Sequence, residues 1–134
     1  MPLGSTNLAQ MLATLEAVAR PDTYVYTVLD PDHPALTLAQ ATVQEERGLT
    51  AIIRKQDAQQ HNLDYEFECA WLTLTVHSSL EAVGLTAAFS TALGSAGISC
   101  NVIAGFYHDH LLVPIADKER ALAVLADLRS ESAA

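Results

Sequence analysis

Basic residues are scarce in this chain. Seven Lys and Arg stand against sixteen Asp and Glu, a formal net charge of −9 with histidines neutral. Binding to a phosphate backbone needs clustered Lys and Arg, and the nearest approach to a cluster is Arg54-Lys55. The composition therefore argues against nucleic acid as a partner. Cysteine is scarce too. Cys69 and Cys100 are the two, they form no CxxC, and they read as buried thiols rather than as a bridge. No apolar run is long enough to span a membrane, and residues 1–7 lack the basic and apolar regions of a secretory leader. The expectation is a cytoplasmic protein with no membrane partner. The six glycines make no phosphate-cradling motif, and G-x-S-x-G is missing, so neither a nucleotide loop nor a nucleophile elbow is supported.

What is present is an ordinary globular composition. Half of the 134 residues are apolar, enough for one sizeable core or two small ones sharing an interface. The most informative stretch is 70–115. Leu72, Leu74 and Val76 alternate with Trp71, Thr73, Thr75 and His77, the period of two that marks a strand. The period then changes. Leu85, Ala88, Phe89, Ala92, Leu93 and Ala96 recur at three and four, one face of a helix. Gly97 ends that helix, because glycine accepts the left-handed backbone found at helix C-termini. Ile98, Cys100, Val102 and Ala104 give a second strand, and Leu111, Val113 and Ile115 a third. A last helix starts near Lys118, with Asp117 as N-cap and Ala121, Val124, Leu125 and Leu128 on its apolar face.

The N-terminal half is read in the same way. Leu8, Met11, Leu12, Leu15 and Val18 predict an amphipathic helix over 8–20, capped by Thr6 or Asn7 and stopped by Pro21. Residues 24–29 predict a strand and 30–34 a loop. Residues 42–46 and 49–54 flank Arg47-Gly48 as a hairpin, and 57–62 is a short helix. No glycine-serine linker divides the chain, so two halves, 1–64 and 65–134, are expected to pack together. Each half has a defect. The first shows no strand before its helix. The second leaves 70–77 as an apolar edge strand, which a soluble protein does not leave bare. One half, or a second chain, is expected to cover the edge.

Val83-Gly84-Leu85, Ala96-Gly97-Ile98-Ser99 and the run from Asp109 to Val113 together resemble an ACT domain. The match covers about the C-terminal half, and the whole chain resembles small stand-alone proteins with two ACT-like halves. The resemblance implies an α+β, ferredoxin-like βαββαβ fold and a regulatory module that binds a small molecule, often an amino acid. It departs from the family at the loop, where Val83 stands in place of a common proline and Ser78-Ser79 in place of an acidic or amide residue.

The ligand site is expected where the loop and helix start, Ser79, Leu80, Glu81, Gly84 and Leu85, meet the second strand at Asn101, Val102 and Ile103. Free N–H groups and the positive helix end suit a carboxylate there. Gly84 lets a ligand approach the backbone, Asn101 donates and accepts, and Glu81 can neutralise an amino group. A plain strand-to-helix turn capped by Ser79 explains the same residues. The expectation is a non-enzymatic amino-acid-binding protein, without cofactor or metal. Its rivals are an interaction module without ligand, and a metal protein using His77, His108 and His110. Trp71, Thr73, Ile103 and Leu112 form an apolar sheet face away from the helices, which predicts cover from the first half or from a homodimer partner.

Overall fold

The computed structural model describes residues 7–76 and 83–133. Among the described residues are four helices: α1 (Leu8–Ala13), α2 (Lys55–Gln60), α3 (Leu85–Ser95) and α4 (Lys118–Ala133). The strands are β1 (Ala17–Ala19), β2 (Tyr24–Leu29), β3 (Ala41–Glu45), β4 (Gly48–Arg54), β5 (Glu66–Leu74), β6 (Asn101–Ala104) and β7 (Asp109–Pro114). Short 3-10 turns occupy Pro34–Leu38 and Ile115–Asp117. The strands make one antiparallel sheet in the order β3-β4-β2-β5-β7-β6, with β1 also on β5.

The helix expected over 8–20 is shorter. Asn7 caps it, its carboxamide oxygen accepting the Gln10 N–H at 3.0 Å. It ends after Ala13, where the Thr14 hydroxyl donates back to the Gln10 carbonyl at 3.0 Å. The chain then straightens, and Ala17, Val18 and Ala19 pair with Leu74, Thr73 and Leu72. The cause is long-range. The apolar edge of β5 needs a partner more than a solvent-side turn of helix needs its own hydrogen bonds. The first half thus closes the edge of the second. Met11 and Leu15 stay in the core as the helical pattern requires, but Val18 is exposed.

The two halves repeat each other. Strand β2, a 3-10 turn, the hairpin β3-β4 and α2 answer to β5, α3, β6-β7 and α4. The registers correspond pair for pair. Tyr24 to Leu29 lie opposite Arg54 to Leu49, as Cys69 to Leu74 lie opposite Pro114 to Asp109. Ala41 opposite Ile52 answers to Asn101 opposite Leu112. The halves meet at β2 and β5, where Tyr24 faces Cys69, so the sheet order reads the same outward in both directions.

All the helices lie on one side of this sheet. Side chains alternate along a strand, so Ala70, Leu72 and Leu74 point opposite to Cys69 and Trp71. The first set packs with Met11, Leu15, Phe89, Leu93 and Leu125 of the helices, and the matching residues Val25, Ala51 and Ile53 pack with Ala35 and Ala58. The second set clusters with apolar strand residues, among them Tyr24, Ile52 and Leu112. Trp71 is nonetheless 3% exposed and Leu112 0%. Tyr24, 5.3 Å away ring to ring, and the Arg20 guanidinium, 4.0 Å from the ring centre, cover the indole. Part of the cover expected for this face therefore comes from the first half, while Val28 and Val43 remain exposed on it.

Candidate ligand site

Helix α3 opens at Gly84, which takes φ +97°, a left-handed conformation that a side chain disfavours. With no side chain at the cap, the first-turn N–H groups of α3 have no capping partner from Gly84, and the positive end of the helix lies there. The room beside Gly84 is not open, however. A Cβ at this position would stand 2.9 Å from Leu8 Cδ2. The glycine therefore lets α1 pack against the start of α3, a role no local pattern in the sequence displays.

The other residues of the expected site divide between surroundings. Leu85 is buried in the core with Phe89 and Leu93. Val102 lies opposite Leu111, on the helix side of the sheet. Asn101, opposite Leu112, and Ile103, opposite His110, point to the other side, where Ile103 packs near Trp71. Strand β6 is an outer strand of the sheet, and Asn101 is exposed. Ser79, Leu80 and Glu81, like His77, lie outside the described residues. Within one chain, then, the helix start and Val102 share a side of the sheet, and Asn101 and Ile103 do not.

His110 is held by local partners. The Trp71 indole N–H donates to His110 Nδ1 at 3.2 Å, and the Thr73 hydroxyl lies 3.0 Å from the same nitrogen. An indole N–H only donates, so Nδ1 is an acceptor and His110 is neutral. Burial lowers its pKa, and the Arg20 and His108 charges act in the same direction. His108 Nδ1 is buried without a hydrogen-bond partner. Burial raises the Asp109 carboxyl. Among the described residues no group of three or more His, Cys, Asp or Glu is placed to hold a metal.

Neither thiol is activated. Cys69 is buried, donates to the Tyr24 carbonyl at 3.2 Å, and is pushed up to about 12 by desolvation. Burial raises Cys100 as well. A nucleophilic cysteine needs the opposite shift. Sequence reading did not locate a cavity of about 720 Å³ between β2 and the segment leading into β5, walled by Tyr26, Thr27, Asp64 and Glu66 among others. No motif marks it, because it arises where two distant segments fail to pair.

Comparison with known proteins bears on this geometry. Residues 3–70 match one family model described as an ACT domain, and residues 66–127 match a second of the same description. A Vibrio cholerae protein of unknown function is 40% identical, over 91% of this chain and 95% of its own, with a TM-score of 0.82. An Agrobacterium tumefaciens protein is 16% identical, over 86% and 89%, with a TM-score of 0.71. The regulatory subunit of aspartate kinase from Thermus thermophilus is 13% identical, over 84% and 95%, with a TM-score of 0.61. At that identity it shares the fold. No functionally curated protein matches. No helix among the described residues is long and apolar enough to cross a membrane.

Proposed function

Because this chain belongs to the ACT domain family, with two such domains in series, we propose that it is a regulatory module that binds a small molecule, an amino acid, and catalyses nothing itself. The observation that carries the reading is the repeat. Two matching α+β halves share one sheet and take up the described chain, in the fold that regulatory subunits of aspartate kinase also carry. The unactivated thiols and the locally bonded His110 support a non-catalytic role.

In this reading the halves divide near Asp64, into 1–64 and 65–134. The ligand lies at the start of α3. Its carboxylate meets first-turn N–H groups near Gly84 and Leu85, with Ser79, Leu80 and Glu81 completing the site. The far end of the ligand reaches β6, where Asn101 offers an amide and Val102 and Ile103 an apolar wall. Asn101 and Ile103 face away from the helices, so the site gathers all of these residues only when a second chain adjoins the β6 edge. A homodimer is part of the proposal.

Calorimetry and thermal shift against the twenty amino acids test it. An amino acid that binds at the site raises the melting temperature by mass action, about 2.7 kcal/mol at one hundred times Kd. Asn101→Ala and Glu81→Ala should each weaken that binding about tenfold while leaving the unliganded melting temperature in place. Binding that is unchanged in both variants places the ligand elsewhere. Stabilisation by divalent metals alone would favour a metal protein.

A further inference from the structure

The repeat between the halves breaks at one place. In the second half the edge of β5 on the β2 side is closed by β1, and the Arg20 N–H donates to the Trp71 carbonyl at 2.9 Å. The Arg20 guanidinium folds over the Trp71 ring, 4.0 Å from its centre and 5.7 Å from that of Tyr24. Its Nη1 donates to Gln40 Oε1 at 3.0 Å. In the first half, Asn62, Leu63 and Asp64 stand as far ahead of Cys69 as Ala17, Val18 and Ala19 stand ahead of Tyr24, and Tyr65 takes the place of Arg20. This segment does not pair with β2 as β1 pairs with β5. Asn62 and Phe67 take left-handed φ values of 53° and 57°. The register slips between Tyr24 and Tyr26. The Thr27 hydroxyl donates to the Asp64 carbonyl at 2.7 Å where a ladder would otherwise run. The cavity of about 720 Å³ is the space that results.

Its chemistry follows from the same correspondence. Tyr26 stands where Trp71 stands in the other half, so the aromatic ring is present twice. The cation over it is present once, because Tyr65 replaces Arg20. Asp64 and Glu66 bring two carboxylates to the cavity wall, and neither pairs with Lys or Arg among the described residues. Glu66 lies directly opposite Tyr26 in register and shares its side of the sheet. Among the described residues no Lys or Arg lines the cavity; Arg47 lines the adjacent one, beside Glu45 and Glu46. An organic cation over an aromatic face is attracted by the ring quadrupole, and neighbouring carboxylates add to the attraction.

We propose that this cavity binds a small organic cation, an alkylguanidinium or alkylammonium group seated over Tyr26 beside Asp64 and Glu66, where the equivalent ring, Trp71, is covered by the chain's own Arg20. The seat is separate from the start of α3 and does not depend on the amino-acid reading.

Agmatine, a dication without a carboxylate, is the probe. Titration followed by amide NMR should give saturable shifts confined to residues 26–28, 50 and 62–66. Asp64 and Glu66 are exposed, so the double variant Asp64→Asn/Glu66→Gln should keep its dispersed spectrum and weaken binding about tenfold. Tyr26→Leu should weaken it about threefold. Shifts that never saturate, that spread over acidic surface elsewhere, or that persist in the double variant would reduce the effect to general attraction by a chain of net charge −9 and overturn the proposal. Equal shifts with neutral 1-butanol would overturn it too, by showing an apolar site.

Discussion

Leu15 belongs to the first half by sequence and to the core of the second by packing, so Leu15→Ala tests whether the halves stand as one unit. The side chain is 1% exposed and clusters with Leu72, Leu74, Phe89 and Leu125. Removing three carbons forfeits about 2.4 kcal/mol of transfer free energy at about 0.8 kcal/mol each. A cavity term adds to this, and Leu→Ala losses in cores run from about 2 to 5 kcal/mol. The groove beside Leu15, lined in part by Leu122, Leu125 and Arg129, lets neighbours relax into the space and holds the loss to about 3 kcal/mol. With m of about 1–3 kcal/mol/M, the urea midpoint should fall by about 1–3 M. Unfolding would be followed by far-UV circular dichroism and by fluorescence of Trp71, the single tryptophan. Trp71 lies on the other side of the sheet from Leu15, beside Tyr24 and Ile52, so it reports the shared sheet and not the local hole. Both probes should shift together in one transition. A loss below about 1 kcal/mol, or a Trp71 transition left in place while the helical signal melts early, would refute the interlock.

Three further outcomes are expected. Gly84→Val should cost about 1–3 kcal/mol from backbone strain alone, plus the collision with Leu8; adding Leu8→Ala should recover only the second share, as thermal melts of the single and double variants would show. Cys69, with its thiol pushed up to about 12, should resist alkylation near pH 8 until the chain unfolds, with Cys100 reacting first in a mass-spectrometric time course. His110 is lowered by burial, so the unfolded chain binds more protons than the native one as the pH falls below about 6.5. The stability that His110 contributes is present above that pH and is lost as the pH falls, and His110→Phe should flatten urea midpoints read between about pH 7 and pH 5.5.

The second half was the more legible. Its strands and helices each carry several turns or alternations of one period, and Gly97 ends α3 at φ +75° as its position requires. The hairpin around Arg47-Gly48 was legible for the same reason. The stretch 8–20 was not, because its apolar spacing is helical up to Leu15 and the demand that straightens Ala17–Ala19 comes from β5, more than fifty residues on. The 3-10 turn at Pro34–Leu38 is too short to show a period. At the proposed ligand site, Gly84 was read for close approach to its backbone, while its positive φ emerged only with the fold. Its neighbour Leu8 was not legible, since nothing local in either segment announces that α1 lies against α3. Neighbouring strand residues face opposite ways, so Asn101 and Val102 lie on opposite sides of the sheet within one chain.

The contact between Leu8 and Gly84 also bears on how the proposed module would respond to a ligand. A molecule seated at the start of α3 adjoins Leu8, the first residue of α1. Helix α1 continues within a few residues into β1, and β1 closes the edge of β5 that both halves share. A displacement of Leu8 can therefore be relieved in two ways. Either α1 shifts alone, or Ala17–Ala19 moves along β5. A slip of one residue along β5 would turn Val18 to the core side and Ala17 and Ala19 away from it, and would break the bonds from Arg20 N–H to the Trp71 carbonyl and from Thr75 N–H to the Glu16 carbonyl, both 2.9 Å. Those bonds bracket the β1 pairing and resist a slip. Arg20 adds resistance through its stacking on Trp71. The stiffer path is β1 and the softer is α1, a helix of six residues held by Met11 and its neighbours. A ligand effect transmitted from the start of α3 should consequently run through α1 to α4, which α1 packs against, and leave the pairing of β1 with β5 intact.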